Sequence, residues 1–257
     1  MVAHAPWAAL RAVGTLPKVA ACVIDTRPRA QCLRETVATA RCLPPAAFLG
    51  PRGQLANFRD IRWLLGTAGL GGAKTAVVVG DERTARDFVA GILYLAGQRR
   101  VVVVRRPLTP WLAAHPAAAG PGEGHGMIRT RIYAAWPRTH LVVFRAPLAR
   151  LLAAPNPPQL LDGCPAGWSV RHPQATPIPG SRAWPFARLG GQWRPPAGRR
   201  PFIAYAQDPY HSVAYFTALR LRHLPAEVFI GGLRAWHAAR APRALPAPRL
   251  ARRPGGY

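Results

Sequence analysis

The residues of this chain that could take part in chemistry lie between an apolar run at 202–206 and a segment at 212–221 with apolar residues at helical spacing. A second apolar run, 228–230, follows and ends in two glycines. This order predicts a strand, a loop, a helix and a second strand. The loop then lies at the carboxyl end of a parallel strand, where ligands usually bind. The candidate site residues are Ala206, Gln207, Asp208, Pro209, Tyr210 and His211.

Backbone N–H groups and the helix N-terminus make such a loop suitable for an anion or for a cysteine thiolate. Here the loop begins with Ala206, which offers no nucleophile. We expect Tyr210, His211 and Ser212 to contact a ligand. His211 beside Ser212 could suggest hydroxyl activation, but adjacent residues at a helix start point in different directions, so we interpret Ser212 as the N-cap.

The cysteines and histidines do not predict a metal site. Cys22, Cys32 and Cys42 are spaced ten apart without a CxxC pair, and Cys164 stands alone. The eight histidines show no ligand spacing either. We therefore expect no metal and no cofactor, and we expect the thiols to be free in a reducing cytoplasm.

Composition bounds the classes of partner. A chain of 257 residues with 49% hydrophobic content can bury the cores of two domains. The formal charge of +25 and the pI near 11.8 would suit a nucleic acid or an anionic membrane surface. However, Lys18 and Lys74 are the only lysines, and the excess of Arg, Ala, Pro and Gly also fits a coding bias. No apolar segment approaches the roughly 18 residues that span a bilayer, so we expect a cytoplasmic protein without a membrane partner.

The elements that must position the loop occur twice. Sliding the chain by 125 positions aligns Val103 with Val228, Leu108 with Leu233 and Trp111 with Trp236, along with strands, loops and helices. This alignment places Asp81 opposite Ala206. Farther upstream, we expect 141–144 to repeat the strand at 23–25, and 171–179 to repeat the segment at 41–49.

The first half also has predicted elements of its own. We expect a strand at 19–25, helices at 30–39, 58–70 and 84–96, and strands at 76–79 and 101–104.

The repeat predicts two α/β domains, each a mainly parallel sheet flanked by helices. We place the first domain at 16–115 and the second at 128–240. The Gly- and Pro-rich residues 116–127 are predicted to be a linker. The basic, Pro-rich tail 241–257 is predicted to be disordered, and the sequence does not define the path of residues 156–198.

Together these segments resemble the tandem rhodanese-like sulfurtransferases, which act on thiosulfate or 3-mercaptopyruvate. In that family a strand ends in an Asp-x-Arg turn, matched here by IDTR at 24–27. A His-Ile-Pro-Gly-Ala segment is matched loosely by CLPPA at 42–46 and RHPQA at 171–175. The Gly-Gly-x-x-x-Trp element is matched by GGLRAW at 231–236. We interpret Asp25 and Arg27 as a turn-stabilising pair.

The resemblance also implies a catalytic loop of the form Cys-x-x-Gly-x-Arg in the second domain, whose cysteine carries sulfur as a persulfide. Ala206 stands at the Cys position, Pro209 at the Gly position and His211 at the Arg position. Proline removes an N–H donor, and a neutral histidine lacks the bidentate grip of arginine on an oxyanion. Asp81 is the corresponding non-cysteine residue of the first domain.

The resemblance, with these departures, predicts a degenerate member of the family that binds a protein or a small anionic ligand without catalysis. Two alternatives stay open. One is an active sulfurtransferase that uses Cys42 or Cys164, and the other is a basic protein associated with nucleic acid.

Overall fold

Two five-stranded parallel sheets make up a computed structural model that describes residues 9–17, 21–190 and 201–238. The strands and helices of the first half are β1 Leu10–Val13, β2 Cys22–Asp25, α1 Arg29–Arg34, β3 Thr36–Val37, β4 Arg41–Cys42, α2 Phe58–Thr67, β5 Thr75–Val79, α3 Arg83–Leu95, β6 Arg100–Val104, α4 Leu108–Ala114 and β7 Ala119–Gly120.

The second half has the same kind of elements in a similar order. They are β8 Val142–Val143, α5 Arg145–Leu152, β9 Leu160–Asp162, α6 Trp168–Arg171, β10 Ser181–Ala183, β11 Phe202–Tyr205, α7 Pro209–Arg220, β12 Ala226–Phe229 and α8 Gly232–Ala238. Short 3-10 turns at Pro45–Phe48 and Phe186–Gly190 follow β4 and β10 respectively.

The two sheets have equivalent strand orders. The first runs β1-β6-β5-β2-β4, and the second, written from its opposite edge, runs β8-β12-β11-β9-β10. Every strand pair in both sheets is parallel. The predicted fold class, two α/β domains with parallel sheets flanked by helices, is therefore confirmed.

Continuous apolar strands such as β5 and β6 are explained by helices on both faces of the sheet. Val78 and Val103 face the large core that contains α3, whereas Val77 and Val102 face a second core with α4. Alternate residues of one apolar run thus enter two cores.

The halves meet where α3 packs against α7. A Cβ at Gly91 would overlap Val213 and Thr217, so the absence of a side chain lets the helices approach closely. Near the ends of these helices, the Arg220 guanidinium donates a hydrogen bond of 2.9 Å to the Tyr94 hydroxyl. One buried cluster of apolar residues runs through both sheets at this contact.

Several sequence expectations are corrected by the sheet register. Residues 141–144 do not repeat the strand at 23–25, because β8 pairs with β12 as β1 pairs with β6. The strand equivalent to β2 is β9, which pairs with β11 as β2 pairs with β5. The segment equivalent to 41–49 is 181–189 rather than 171–179, because β10 pairs with β9 as β4 pairs with β2.

The first domain also extends beyond the segment expected for it. β1 pairs with β6 and so adds a strand before residue 16. The helix expected at 30–39 ends at Arg34, and the residues that follow form β3, which pairs antiparallel with β7. The first part of the expected linker 116–127 is therefore attached to the first domain, although the domain bounds themselves stay predictions.

Three expectations fall partly or wholly outside the described residues. These are the start of the strand at 19–25, the end of the 156–198 segment, and the tail 241–257. Within residues 156–190, the chain forms β9, α6, β10 and the 3-10 turn at Phe186–Gly190.

Candidate functional site

The candidate loop lies at the carboxyl end of β11, where the chain turns into α7. Asp208 is the N-cap of α7 and Pro209 is its first residue, a position where the missing N–H costs nothing. The expectation that Ser212 is the N-cap is wrong, because the helix begins three residues earlier. Ser212 is buried, and its hydroxyl accepts a 2.9 Å hydrogen bond from the Ala206 N–H. Ser212 therefore stabilises the loop from inside.

Ala206 itself is 1% exposed and packs in an apolar cluster with Tyr205 and Leu233. Its carbonyl accepts a 2.9 Å hydrogen bond from the Leu233 N–H. The position at which the family resemblance places a cysteine thus carries a buried methyl group.

The Asp208 carboxylate fills the place at the helix N-terminus that an external anion would take. One of its oxygens accepts a 2.9 Å hydrogen bond from the His211 N–H and lies 2.9 Å from His211 Nδ1. Burial raises the pKa of Asp208, but the hydrogen bonds from His211 and the positive charges of His211 and Arg234 outweigh it. The pKa therefore lies below its ordinary value. The loop holds its own anion.

Tyr210 and His211 face different surroundings. The ring of Tyr210 packs against Phe88 of the first domain, with centroids 5.0 Å apart. Burial, together with the nearby Glu82 and Asp208 carboxylates, raises the pKa of Tyr210 to about 12. His211 is partly exposed and is bound to Asp208. The three residues expected to contact a ligand are therefore divided among a domain contact, a cap and the interior.

A cavity of about 800 Å³ opens beside this loop. It is lined by Trp168, His172, Gln207, Asp208, Arg234 and His237, among others.

The cavity contains stacked rings and polar groups that are free to bind a ligand. Trp168 and His172 stack with centroids 3.8 Å apart and an interplanar angle of 15°. The Trp168 indole N–H is buried without a hydrogen-bond partner. His237 Nε2 donates a 2.8 Å hydrogen bond to the Thr176 carbonyl, which leaves its second ring nitrogen toward a ligand.

Arg234 supplies the positive charge of this cavity. Its backbone N–H donates a 3.1 Å hydrogen bond to Gln207, and its guanidinium donates one of 3.0 Å to the Arg52 carbonyl of the first domain. Sequence reasoning missed this residue, although GGLRAW at 231–236 was recognised. Gly232 has a φ of +61° and packs on Ala206 and Asp208, so the turn that carries Arg234 is fixed to the loop.

The first-domain loop lies one residue from its expected position. The Gly80 carbonyl accepts from Leu108 N–H as the Ala206 carbonyl accepts from Leu233 N–H. Ala206 therefore corresponds to Gly80, and the alignment with Asp81 is off by one. Asp81 is held by Thr109, whose N–H and hydroxyl donate to it at 2.8 and 2.6 Å.

A second cavity, of about 650 Å³, lies beside the first-domain loop and is lined by Arg27, Arg29, Asp81, Glu82 and Tyr210, among others. Tyr210 thus lines the cavity of the other domain.

The two strands β2 and β9 end in matching turns. Asp25 accepts a 2.8 Å hydrogen bond from the Arg27 N–H, and Asp162 accepts one of 2.8 Å from the Cys164 N–H. The Arg27 guanidinium also pairs with Asp25 at 2.8 Å, and both side chains are buried. This geometry fits the structural interpretation of the first pair. In the second domain, Cys164 occupies the position of the arginine.

The cysteines differ from the expectation of four free thiols. Cys32 and Cys42 form a disulfide that joins α1 to β4, so neither has a thiol to carry sulfur. Cys22 and Cys164 are free. Burial, followed by the Asp162 carboxylate, raises the pKa of the Cys164 thiol well above its ordinary range. Burial also raises the pKa of Cys22.

Within the described ranges, no three His, Cys, Asp or Glu side chains come together where they could hold a metal ion. In the same ranges, no helix is both long and apolar enough to cross a bilayer.

Comparison with solved structures identifies the fold. A probable thiosulfate sulfurtransferase superposes with a TM-score of 0.57 and 22% identity, covering 89% of this chain and 98% of that chain. The 3-mercaptopyruvate sulfurtransferase SseA from Escherichia coli gives a TM-score of 0.64 and 16% identity, covering 82% and 92%. EanB in complex with ergothioneine gives 0.68 and 14%, covering 86% of this chain and 64% of that longer one.

No protein-family model and no curated protein matches the sequence. At these identities the likeness to the solved structures establishes the fold, which is that of the rhodanese-like sulfurtransferases, as the sequence motifs predicted.

Proposed function

We propose that this chain of two rhodanese-like domains is a binding module without sulfurtransferase activity, and that it holds a small anionic ligand in the cavity beside its second-domain loop. The observation that carries the proposal is Ala206, a buried methyl group where a sulfurtransferase of this fold would need its nucleophile.

The loop opposes the family's chemistry in a further way. Asp208 puts a negative charge at the N-terminus of α7, where a thiolate or persulfide would need a positive field. Pro209 removes one of the N–H groups that could bind an oxyanion. The restoration of a cysteine at 206 would therefore yield a buried thiol with a raised pKa rather than a reactive thiolate.

The cavity supports a ligand role independently of catalysis. Arg234 offers a guanidinium that can pair with a carboxylate or sulfonate, and Trp168 with His172 offers an aromatic wall. Because the Asp208 carboxylate repels an anion from the helix end, the anionic group is held on the Arg234 side of the cavity.

Sulfur transfer is tested with thiosulfate or 3-mercaptopyruvate as donor and cyanide as acceptor. We expect no turnover by the full chain. Turnover that survives in a Cys164→Ala variant and in the reduced protein would overturn the proposal. Turnover that is lost in Cys164→Ala would establish the alternative in which Cys164 carries sulfur, an alternative that its raised pKa opposes. The disulfide leaves Cys42 as a carrier only after reduction.

The restored loop provides a second test. We expect Ala206→Cys to stay inactive, and its thiol to be alkylated only at alkaline pH. The double variant Ala206→Cys, Asp208→Ser keeps a capping hydroxyl without the charge, so its thiol should react at lower pH. Rapid sulfur transfer by Ala206→Cys alone would show that the loop kept its anion-stabilising geometry.

Ligand binding is measured by calorimetry with thiosulfate and 3-mercaptopyruvate as probes. Arg234→Ala should weaken binding by about tenfold or more, since charge-assisted hydrogen bonds contribute roughly 1.5–3 kcal/mol. Arg150→Ala, an exposed arginine on α5, is the matched control and should bind normally. Equal affinity of both variants would remove Arg234 from the site. Absence of anion binding by the wild type would overturn the anion part of the proposal.

The compartment stays a prediction. We propose a cytoplasmic location from the sequence, although the Cys32–Cys42 disulfide is typical of oxidising environments. Thiol alkylation in intact cells followed by mass spectrometry separates these cases. Alkylation of both cysteines supports a reducing compartment, and protection of both opposes it.

A further inference from the structure

A basic and aromatic surface lies on the first domain, away from both loops. It is formed by α2 and by the chain that connects the two halves. We call it the Trp63 patch and define it by Arg59, Arg62, Trp63, Arg129, Ile132 and Trp136. These residues enclose or border a cavity of about 570 Å³.

The apolar residues of the Trp63 patch are unusually exposed for a folded surface. Trp63 is 51% exposed, Ile132 75% and Trp136 82%. Large apolar groups that cluster at a surface indicate an interaction site rather than a solvated face.

The patch is held in a fixed shape by the connecting chain. Tyr133 is buried, its hydroxyl donates a 3.2 Å hydrogen bond to Gln98, and its carbonyl accepts one of 3.2 Å from Arg62. The Arg131 N–H donates a 3.2 Å hydrogen bond to the Gly66 carbonyl at the end of α2. A preorganised surface loses less entropy when it binds.

Charge and aromatic rings alternate within the patch. The Arg129 guanidinium lies 4.3 Å from the ring centroid of Trp63, and that of Arg62 lies 5.7 Å from Trp136. The one carboxylate in the cavity lining, Asp60, accepts a 2.8 Å hydrogen bond from Asn57 at the start of α2. The three arginines of the patch therefore leave an excess of positive charge.

From this arrangement we propose that the Trp63 patch binds single-stranded nucleic acid. Such a strand alternates phosphates with planar bases, so it can pair with Arg59, Arg62 and Arg129 while its bases stack on Trp63 and Trp136. The formal charge of +25 adds a general attraction for a polyanion.

Two other occupants fit the patch less well. A membrane-inserting surface separates its apolar tip from its charged rim, whereas here guanidinium groups lie on the tryptophan rings and would have to lose their water. A second copy of this chain would bring two strongly positive surfaces together.

Fluorescence anisotropy with a labelled oligothymidylate of about 16 nucleotides tests the proposal at about 50 mM salt. The full chain is compared with the double variant Trp63→Ala, Trp136→Ala. The stacking of bases on two rings predicts a loss of affinity of about twentyfold or more, since each stacked base contributes a factor of roughly 5 to 150. The double variant Trp63→Phe, Trp136→Phe should keep most of the affinity.

The charge is tested with matched variants. Arg59→Gln with Arg129→Gln should lower the slope of log affinity against log salt by about 0.7 per contact. Arg150→Gln with Arg171→Gln removes the same charge from exposed positions in the second domain and should have a smaller effect. Thermal denaturation confirms that each variant is folded.

Three outcomes would overturn the proposal. The first is no binding of the oligonucleotide by the wild type at low salt. The second is equal loss in the patch and control variants, which would assign binding to the net charge. In the third, the tryptophan variants lose binding to vesicles of anionic lipid but keep oligonucleotide binding, and the patch would then be a membrane contact.

Discussion

The attachment of the second-domain loop to the turn after β12 depends on Gly232. A Cβ at this residue would lie 2.6 Å from the Ala206 carbonyl oxygen and 2.8 Å from the Asp208 nitrogen, both backbone atoms that cannot rotate away. Gly232 also has a φ of +61°, which disfavours any residue with a side chain. The variant Gly232→Ala should therefore both strain the turn and push the loop outward.

The magnitude separates into two parts. Alanine in the left-handed region costs about 1–2 kcal/mol. The overlap with the loop adds about 1–3 kcal/mol, which is typical of overpacking. Gly167 is the matched control, because its φ is +74° and nothing lies within 4 Å of the Cβ that it would gain. Gly167→Ala should thus lose only the first part.

Urea unfolding, followed by tryptophan fluorescence, measures both losses of stability. Hydrogen exchange provides a local readout, since the Leu233 N–H donates to the Ala206 carbonyl at 2.9 Å. This amide should exchange faster in Gly232→Ala than in Gly167→Ala. Equal losses of free energy in the two variants, with unchanged exchange at Leu233, would refute the reasoning that Gly232 holds the loop.

Three further predictions concern the same domains. Cys32→Ala with Cys42→Ala should reduce the free energy of unfolding by about 2–3 kcal/mol, measured by urea titration against the wild type under oxidising conditions. Ser212→Ala leaves the Ala206 N–H without its acceptor and should cost about 1–3 kcal/mol in the same assay, whereas Ser212→Thr keeps a hydroxyl. The folded-state pKa of Asp208 is lowered, so its stabilisation is present above the ordinary value of about 3.9 and is lost as pH falls through the folded value. The stability difference between wild type and Asp208→Asn should thus shrink between about pH 5 and pH 2, and a constant difference would contradict it.

The sequence predicted the parallel-sheet units because their signals are local. Apolar runs such as Arg100–Val104, followed by helical spacing and glycine turns, define strand and helix without knowledge of the rest of the chain. The strand-loop-helix-strand unit around Pro209–Arg220 was predicted to within a few residues. The main difference is that the helix starts at Pro209, because Asp208 rather than Ser212 caps it.

The second half of the repeat was less readable because its motifs had diverged. β9 has three residues and ends in Asp162, Gly163 and Cys164, where the first half has Asp25, Thr26 and Arg27. Without the arginine, only strand pairing reveals the equivalence. The loop alignment failed by one residue for a similar reason. Val78 pairs with Val103 and Ala204 with Val228, so one residue fewer separates the strands in the second domain.

The chemistry of the cysteines was decided by tertiary structure. Ten positions separate Cys32 from Cys42, and spacing alone does not show whether two thiols meet. They meet because β4 pairs with β2 and returns the chain to the end of α1. Burial beside Asp162, which raises the pKa of the Cys164 thiol, likewise depends on strands far apart in sequence.

By itself the sequence determined the fold class and the absence of a cysteine at 206, since both follow from residue types in local order. Only the tertiary structure decided that Asp208 fills the helix end, that Arg234 stands beside the loop, and that Ser212 is buried. These properties depend on distances between residues of different elements, and it is packing of the elements that sets those distances.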